Sequence, residues 1–133
     1  MDAMEMMKSM SVGDMPMDMG EMQACAMSMN ACSMAATMCA ASDMGMGMDM
    51  AKCCAMCSNM ADMAEAGMRM MMRPMGMDMS TMQAMMTACM TMGEACAAEC
   101  RMHADMSEMC RYCAMACEDM VMKLEAAMAS MAK

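Results

Sequence analysis

The sequence predicts an all-α protein, an antiparallel four-helix bundle led by an N-terminal arm or short helix. Three observations point there. Of 133 residues, 40 are Met and 12 are Cys. Beyond Met, Cys and Ala, only Val12, Val121, Leu124 and Tyr112 complete the hydrophobic share, with no Ile, Phe or Trp. Strands favour β-branched and aromatic side chains, whereas Met and Ala are strong helix formers. Gly is limited to seven and Pro to two, so long helices can run with few breaks.

Residues 1–20 read as the arm or short helix, interrupted by Gly13, Pro16 and Gly20, and residues 21–133 as one bundle domain. The first long helix is expected from about Glu21 to Ala41. With Met22 at heptad position a, Cys25 falls at d, Met29 at a, Cys32 at d, Ala36 at a and Cys39 at d. Every inward position is then Met, Ala or Cys, while Met27 and Met34 fall outward at f. Residues Ser42–Met48 read as a loop, and Asp49 or a neighbour as a cap for a second helix that Gly67 stops after Ala66. A second loop surrounds Pro74 and Gly76. Asp78 or Ser80 opens a third helix reaching about His103. A turn near Ala104–Asp105 leads into a fourth, with Ser107 and Glu108 in its first turn, ending at Lys133.

Cys89, Cys96, His103, Cys110, Cys117 and Leu124 recur at intervals of seven. One unbroken helix could carry this stripe, but a hairpin at residues 103–106 buries it in a compact bundle, with cysteines where a bundle normally keeps Leu.

Charge narrows the function classes. A formal net charge of −9 with eight Lys and Arg argues against nucleic-acid partners. Residues 22–42 carry no charge, but Gln23, Ser28, Asn30, Ser33, Thr37 and Ser42 make a poor bilayer span, so a buried helix is expected and membrane insertion is not. Asp2 and Glu5, without a basic region, are unlike a signal peptide. A cytoplasmic location is expected, with an exported mature form left open. His103 is the only histidine, which rules out multi-histidine zinc or iron sites.

Twelve cysteines at helical spacings favour metal over a disulfide framework, whose cysteines spread over loops. Residues three or four apart on a helix have Cβ atoms about 5–6 Å apart. Two sulfurs on one linear Cu(I) sit roughly 4–5 Å apart, by analogy with thiolate–metal bonds of about 2.3 Å. The pairs Cys53/Cys57, Cys54/Cys57, Cys96/Cys100, Cys110/Cys113 and Cys113/Cys117 meet that condition. Cys25, Cys32 and Cys39 are about 10.5 Å apart per step, so their partners must come from facing helices or nearby Met. Soft thiolate and thioether ligands select Cu(I), and Met29, four residues from Cys25, and Met92, four from Cys96, are candidate third ligands beside a plain packing role.

Methionine also fills outward and loop positions, where packing does not account for it. The runs Met15-Pro-Met17-Asp-Met19 and Met75-Gly-Met77-Asp-Met79 fit Cu(I) capture, or else Met stands wherever a helix or loop tolerates it. Catalysis is not expected, because the thiols lack the adjacent base that a nucleophile needs. Iron–sulfur ligation fits poorly, since its ligands usually come from loops that wrap a cluster.

The string Cys96-Ala-Ala-Glu-Cys100-Arg-Met-His103, followed by Cys110-Arg-Tyr-Cys113-Ala-Met-Ala-Cys117, resembles the copper storage protein family. Cys53-Cys54-x2-Cys57 with Met72-Arg73-Pro74 is similar to the family's middle, and the likeness covers roughly residues 21–120. The resemblance implies a cysteine-lined four-helix bundle storing several Cu(I) ions per chain. Its ligands would be Cys25, Cys32, Cys39, Cys53, Cys54, Cys57, Cys89, Cys96, Cys100, Cys110, Cys113 and Cys117, with His103 at the open end helping ions enter. Met stands at several positions where the family carries Cys, His or aliphatic residues, so thiolate capacity should be lower. The alternative is a methionine-enriched bundle, designed or selected for sulfur content, in which metal binding is incidental. The partners expected are copper ions, with a homo-oligomer left open.

Overall fold

The computed structural model describes residues 3–9 and 17–131. Among them there are five α-helices and no strand: α1 (Ala3–Lys8), α2 (Met19–Met44), α3 (Ala51–Met71), α4 (Met79–Met102) and α5 (Glu108–Met131). Short 3-10 turns at Met48–Met50 and Pro74–Gly76 sit in the first two connections. Short loops force successive helices to run antiparallel. α2 packs on α3 and α5, and α4 packs on the same two helices, so α2 and α4 occupy opposite corners. The predicted bundle is therefore present, about 39 Å long at α2.

The starts of α2, α4 and α5 are set by side-chain caps, whereas α3 starts after Met50 without one: the expected cap Asp49 lies within the preceding 3-10 turn. Asp18 opens α2 with a reciprocal capping box: its Oδ1 accepts from Glu21 N–H at 2.7 Å, and Glu21 Oε1 accepts from Asp18 N–H at 3.4 Å. Asp78 opens α4 in the same manner with Thr81. Ser107 Oγ accepts from Cys110 N–H at 3.2 Å at the start of α5. The expected start of α2 at Glu21 is thus two residues late, and Gly20 lies inside the helix rather than breaking it. Gly13 and Pro16, read as breaks, and the last two residues of the expected fourth helix lie outside the described residues.

Two other boundaries differ from expectation. α2 continues through Ser42, Asp43 and Met44 before the turn, where Gly47 takes a φ of +95° that favours glycine. α3 runs through Gly67 to Met71. A Cβ on Gly67 would lie 2.6 Å from Met29 Cε and 2.9 Å from Cys89 Sγ. Gly67 is there for the close approach of three helices, and tertiary contacts outweigh its cost of about 1 kcal/mol within a helix.

The heptad assignment holds. Met22, Cys25, Met29, Cys32, Ala36 and Cys39 are buried, whereas Met27 and Met34 are exposed. α2 is long and apolar enough to cross a membrane by length and composition; here that apolar stripe is covered by α3 and α5. Antiparallel packing divides the interior into unlike halves. Toward the α2–α3 and α4–α5 loops it is lined by Cys39, Cys53, Cys57, Cys96, Cys100, Cys110 and Cys113. Toward the α3–α4 loop it is filled by Met22, Met29, Met71, Met82, Met86, Met120, Met131 and Leu124, with Cys25 and Cys89 among them.

Candidate metal centre

All twelve cysteines are free thiols, and every one except Cys54 is buried. In the thiol-lined half, the last turns of α2 and α4 face the first turns of α3 and α5. Cys57 Sγ lies 3.6 Å from Cys100 Sγ and 3.9 Å from Cys96 and Cys113. Cys53 Sγ lies 3.9 Å from Cys100 and Cys110 and 4.0 Å from Cys57. Cys39 meets Cys110 at 3.7 Å, and farther along the axis Cys32 meets Cys117 at 3.6 Å. The facing-helix partners expected for Cys32 and Cys39 are thus present.

These contacts assemble three overlapping groups whose ligand atoms lie within 4.8 Å of one another: Cys39, Cys53, Cys57 and Cys100; Cys57, Cys96, Cys100 and Cys113; and Cys39, Asp43, Cys53 and Cys110. Such spacing suits sulfurs bridged by small soft cations. Asp43 is the member that spacing arguments missed. It sits one helical turn beyond Cys39 on the same face, but residues 42–48 read as loop, which hid that relation. Asp43 is 1% exposed; its Oδ1 accepts from Cys110 Sγ at 3.7 Å, and its Oδ2 has no hydrogen-bond partner.

Other candidates lie outside these groups. Cys54 Sγ donates to Ala40 O at 3.4 Å, away from Cys57. Cys25 donates to Lys123 O and Cys89 to Met63 O, each to backbone rather than to sulfur. Met29 is buried beside Gly67 and Cys89, and Met92 is half-buried against the core. His103 ends α4, and its Nε2 lies 2.9 Å from Oε2 of buried Glu99, whose Oε1 is 3.5 Å from Lys52 Nζ. Of the two methionine runs, Met17 is buried, whereas Met75 and Met79 are exposed.

Protons are shared unevenly among the thiols. Hydrogen bonds from Cys113, Cys39 and Cys57 hold Cys100 below the ordinary thiol range. Cys96 is lowered likewise by Cys100, Cys113 and Cys57. The donors Cys113 and Cys57 are correspondingly raised, chiefly by their bonds to Cys100. Burial holds Asp43 above the usual carboxylate range, opposed by the Cys53 hydrogen bond.

Burial pushes Cys25 and Cys89 up to about 11 from 9.0. A raised folded value means that the folded state holds these protons longer than the unfolded chain does. Their contribution is complete below pH 9 and is lost as the pH climbs toward 11, on the order of 2–3 kcal/mol for each thiol. The metal-free protein should lose stability between pH 9 and 11 in reducing urea titrations, and a Cys25→Ala/Cys89→Ala variant should show a flatter profile. Equal slopes in the two proteins would refute this assignment.

The comparisons agree with the geometry. The pattern defining the copper storage protein family matches residues 18–129. The copper storage protein Ccsp of Streptomyces lividans, loaded with 10 copper equivalents, superposes with a TM-score of 0.87 at 27% identity, covering 97% of this chain and 99% of that one. A cytosolic copper storage protein from the same organism, holding five coppers, superposes at 0.78 with 31% identity, covering 83% and 93%. No curated protein matches the sequence. With the family's pattern spanning most of its length over a cysteine-lined bundle, the chain belongs to the copper storage protein family.

Proposed function

We propose that this chain stores several Cu(I) ions on thiolates in the loop-side half of its bundle. The observation that carries the proposal is the overlap of the three buried ligand groups through Cys39, Cys53, Cys57 and Cys100. An ion bound in one group shares sulfurs with the next, so the half fills as a cluster rather than as separate sites. Each thiol that binds Cu(I) gives up a proton and contributes one negative sulfur, and bridging sulfurs keep the interior near neutrality. Asp43 supplies a hard oxygen at the margin of the cluster, a weaker ligand for a soft ion. Cys32 and Cys117 add a two-sulfur site nearer the middle. Cys25, Cys89, Met29 and Met92 are reserve ligands, and His103 stands at the loop-side end, held by Glu99.

The copper carried by the Streptomyces proteins supports Cu(I) as the cargo, and the cytosolic description of one supports the same location here. The reading is of a store and not of an enzyme. The buried thiols face one another, and the single histidine is paired with Glu99 rather than with a thiol. The acidic balance of the chain disfavours nucleic-acid partners.

Anaerobic titration with Cu(I) against a competing chelator tests the proposal. Tight uptake of several ions per chain is expected, somewhat below one per cysteine because Cys25 and Cys89 lack sulfur partners at thiol–thiol distance. Uptake that the chelator prevents would leave only the reading in which metal binding is incidental.

A further inference from the structure

We infer that Cys54 is the outward-facing thiol of a lateral port between α2 and α3, through which thiolate-bound Cu(I) is passed to the interior. The inference rests on the storage reading and adds the route and the donor chemistry. Cys53 and Cys54 are adjacent in α3, and neighbouring residues point about 100° apart on a helix. Cys53 therefore faces the bundle axis, while Cys54, the one cysteine that is not fully buried, faces α2.

Cys54 lines a surface cleft of about 460 Å³ together with Asp43, Met44 and Met48. Met44 is 78% exposed and Met48 is 87% exposed. Packing gives no reason for apolar side chains to stand so far in solvent, whereas their thioethers are soft ligands beside a soft thiol. Asp43 also lines the cleft, buried, with Oδ2 unpartnered. The same Asp43 belongs to the interior group with Cys39, Cys53 and Cys110. One residue is thus common to the surface cleft that Cys54 lines and to the buried cluster.

The transfer is a ligand exchange. A Cu–S bond forms to Cys54 Sγ as the bond to a donor thiolate breaks, the Cys54 proton passes to the departing sulfur, and copper remains Cu(I) throughout. A second exchange of the same kind moves the ion to Cys53 or Cys110, with the interior thiol's proton returning to Cys54.

The test uses the full-length chain and its Cys54→Ser variant, loaded anaerobically from the Cu(I)–glutathione complex. The initial transfer rate should fall about ten-fold in the variant, the scale of one lost contact in the rate-limiting exchange. Final capacity, measured against a chelator, should fall by no more than one ion. Loading as fast as in the unmodified protein would overturn the port and leave the store intact. An unmodified protein that yields its copper to the chelator would overturn the store instead. In the metal-free native protein, iodoacetamide should label Cys54 before any other cysteine. Labelling spread evenly over the twelve would remove the premise that Cys54 alone faces outward.

Discussion

Saturation with Cu(I) under anaerobic conditions should raise the melting temperature of this protein by about 15 °C or more. The metal-free core is weakly specified. Its buried side chains include twelve methionines and one leucine, and Met fills space without fixing a single packing arrangement. Each Leu-to-Met exchange usually costs under about 1.5 kcal/mol, and Met loses more side-chain freedom on burial. Ions that bridge α2, α3, α4 and α5 bind the folded arrangement better than the unfolded chain. A site held about 1,000-fold above its dissociation constant contributes about 4 kcal/mol, less whatever the unfolded thiols retain. A net gain of about 5 kcal/mol over several ions would produce the expected shift in a domain of this size. Calorimetry or far-ultraviolet circular dichroism with and without copper measures it, and superimposable melting curves at saturation would contradict bridging across helices.

The second large effect concerns which cysteines matter. Cys57 and Cys100 belong to two ligand groups each, whereas Cys25 and Cys89 belong to none. Cys57→Ser/Cys100→Ser should lose more than the two equivalents that counting thiols gives, because the sulfurs they share hold neighbouring ions. Cys25→Ser/Cys89→Ser should lose two or fewer. Competitive Cu(I) titration of both variants, with helix content confirmed by circular dichroism, makes the comparison. Equal losses would show that capacity follows the number of thiols and not their placement.

Much of this architecture was legible in the chain. The heptad run from Met22 to Cys39 placed one face of α2 inward, and every one of those side chains is buried. Asp78, offered beside Ser80 as the opening of α4, and Ser107, placed with Glu108 at the start of α5, were legible because caps act within three or four residues. Gly67 was misread as a stop. Its role is set by Met29 and Cys89 on two other helices, and no local rule contains them. Asp43 was hidden by the glycines that follow it, Gly45 and Gly47, which suggested an early loop, although α2 carries it one turn past Cys39. Cys54 was grouped with Cys57 on spacing alone; a separation of three residues leaves it rotated toward α2, where it meets Ala40 O.

The sequence by itself determined the helices, the inward stripe and the preference for a soft monovalent ion, because helix propensity, i to i+4 spacing and ligand softness are local properties. Only the tertiary structure decided which sulfurs meet. Antiparallel packing brings the ends of α2 and α4 against the beginnings of α3 and α5, which gathers most of the thiols in one half and leaves methionine to fill the other. Distances between helices depend on loop lengths and on interlocking side chains from distant parts of the chain, and those distances place Cys57 against Cys100 and Asp43 beside Cys110.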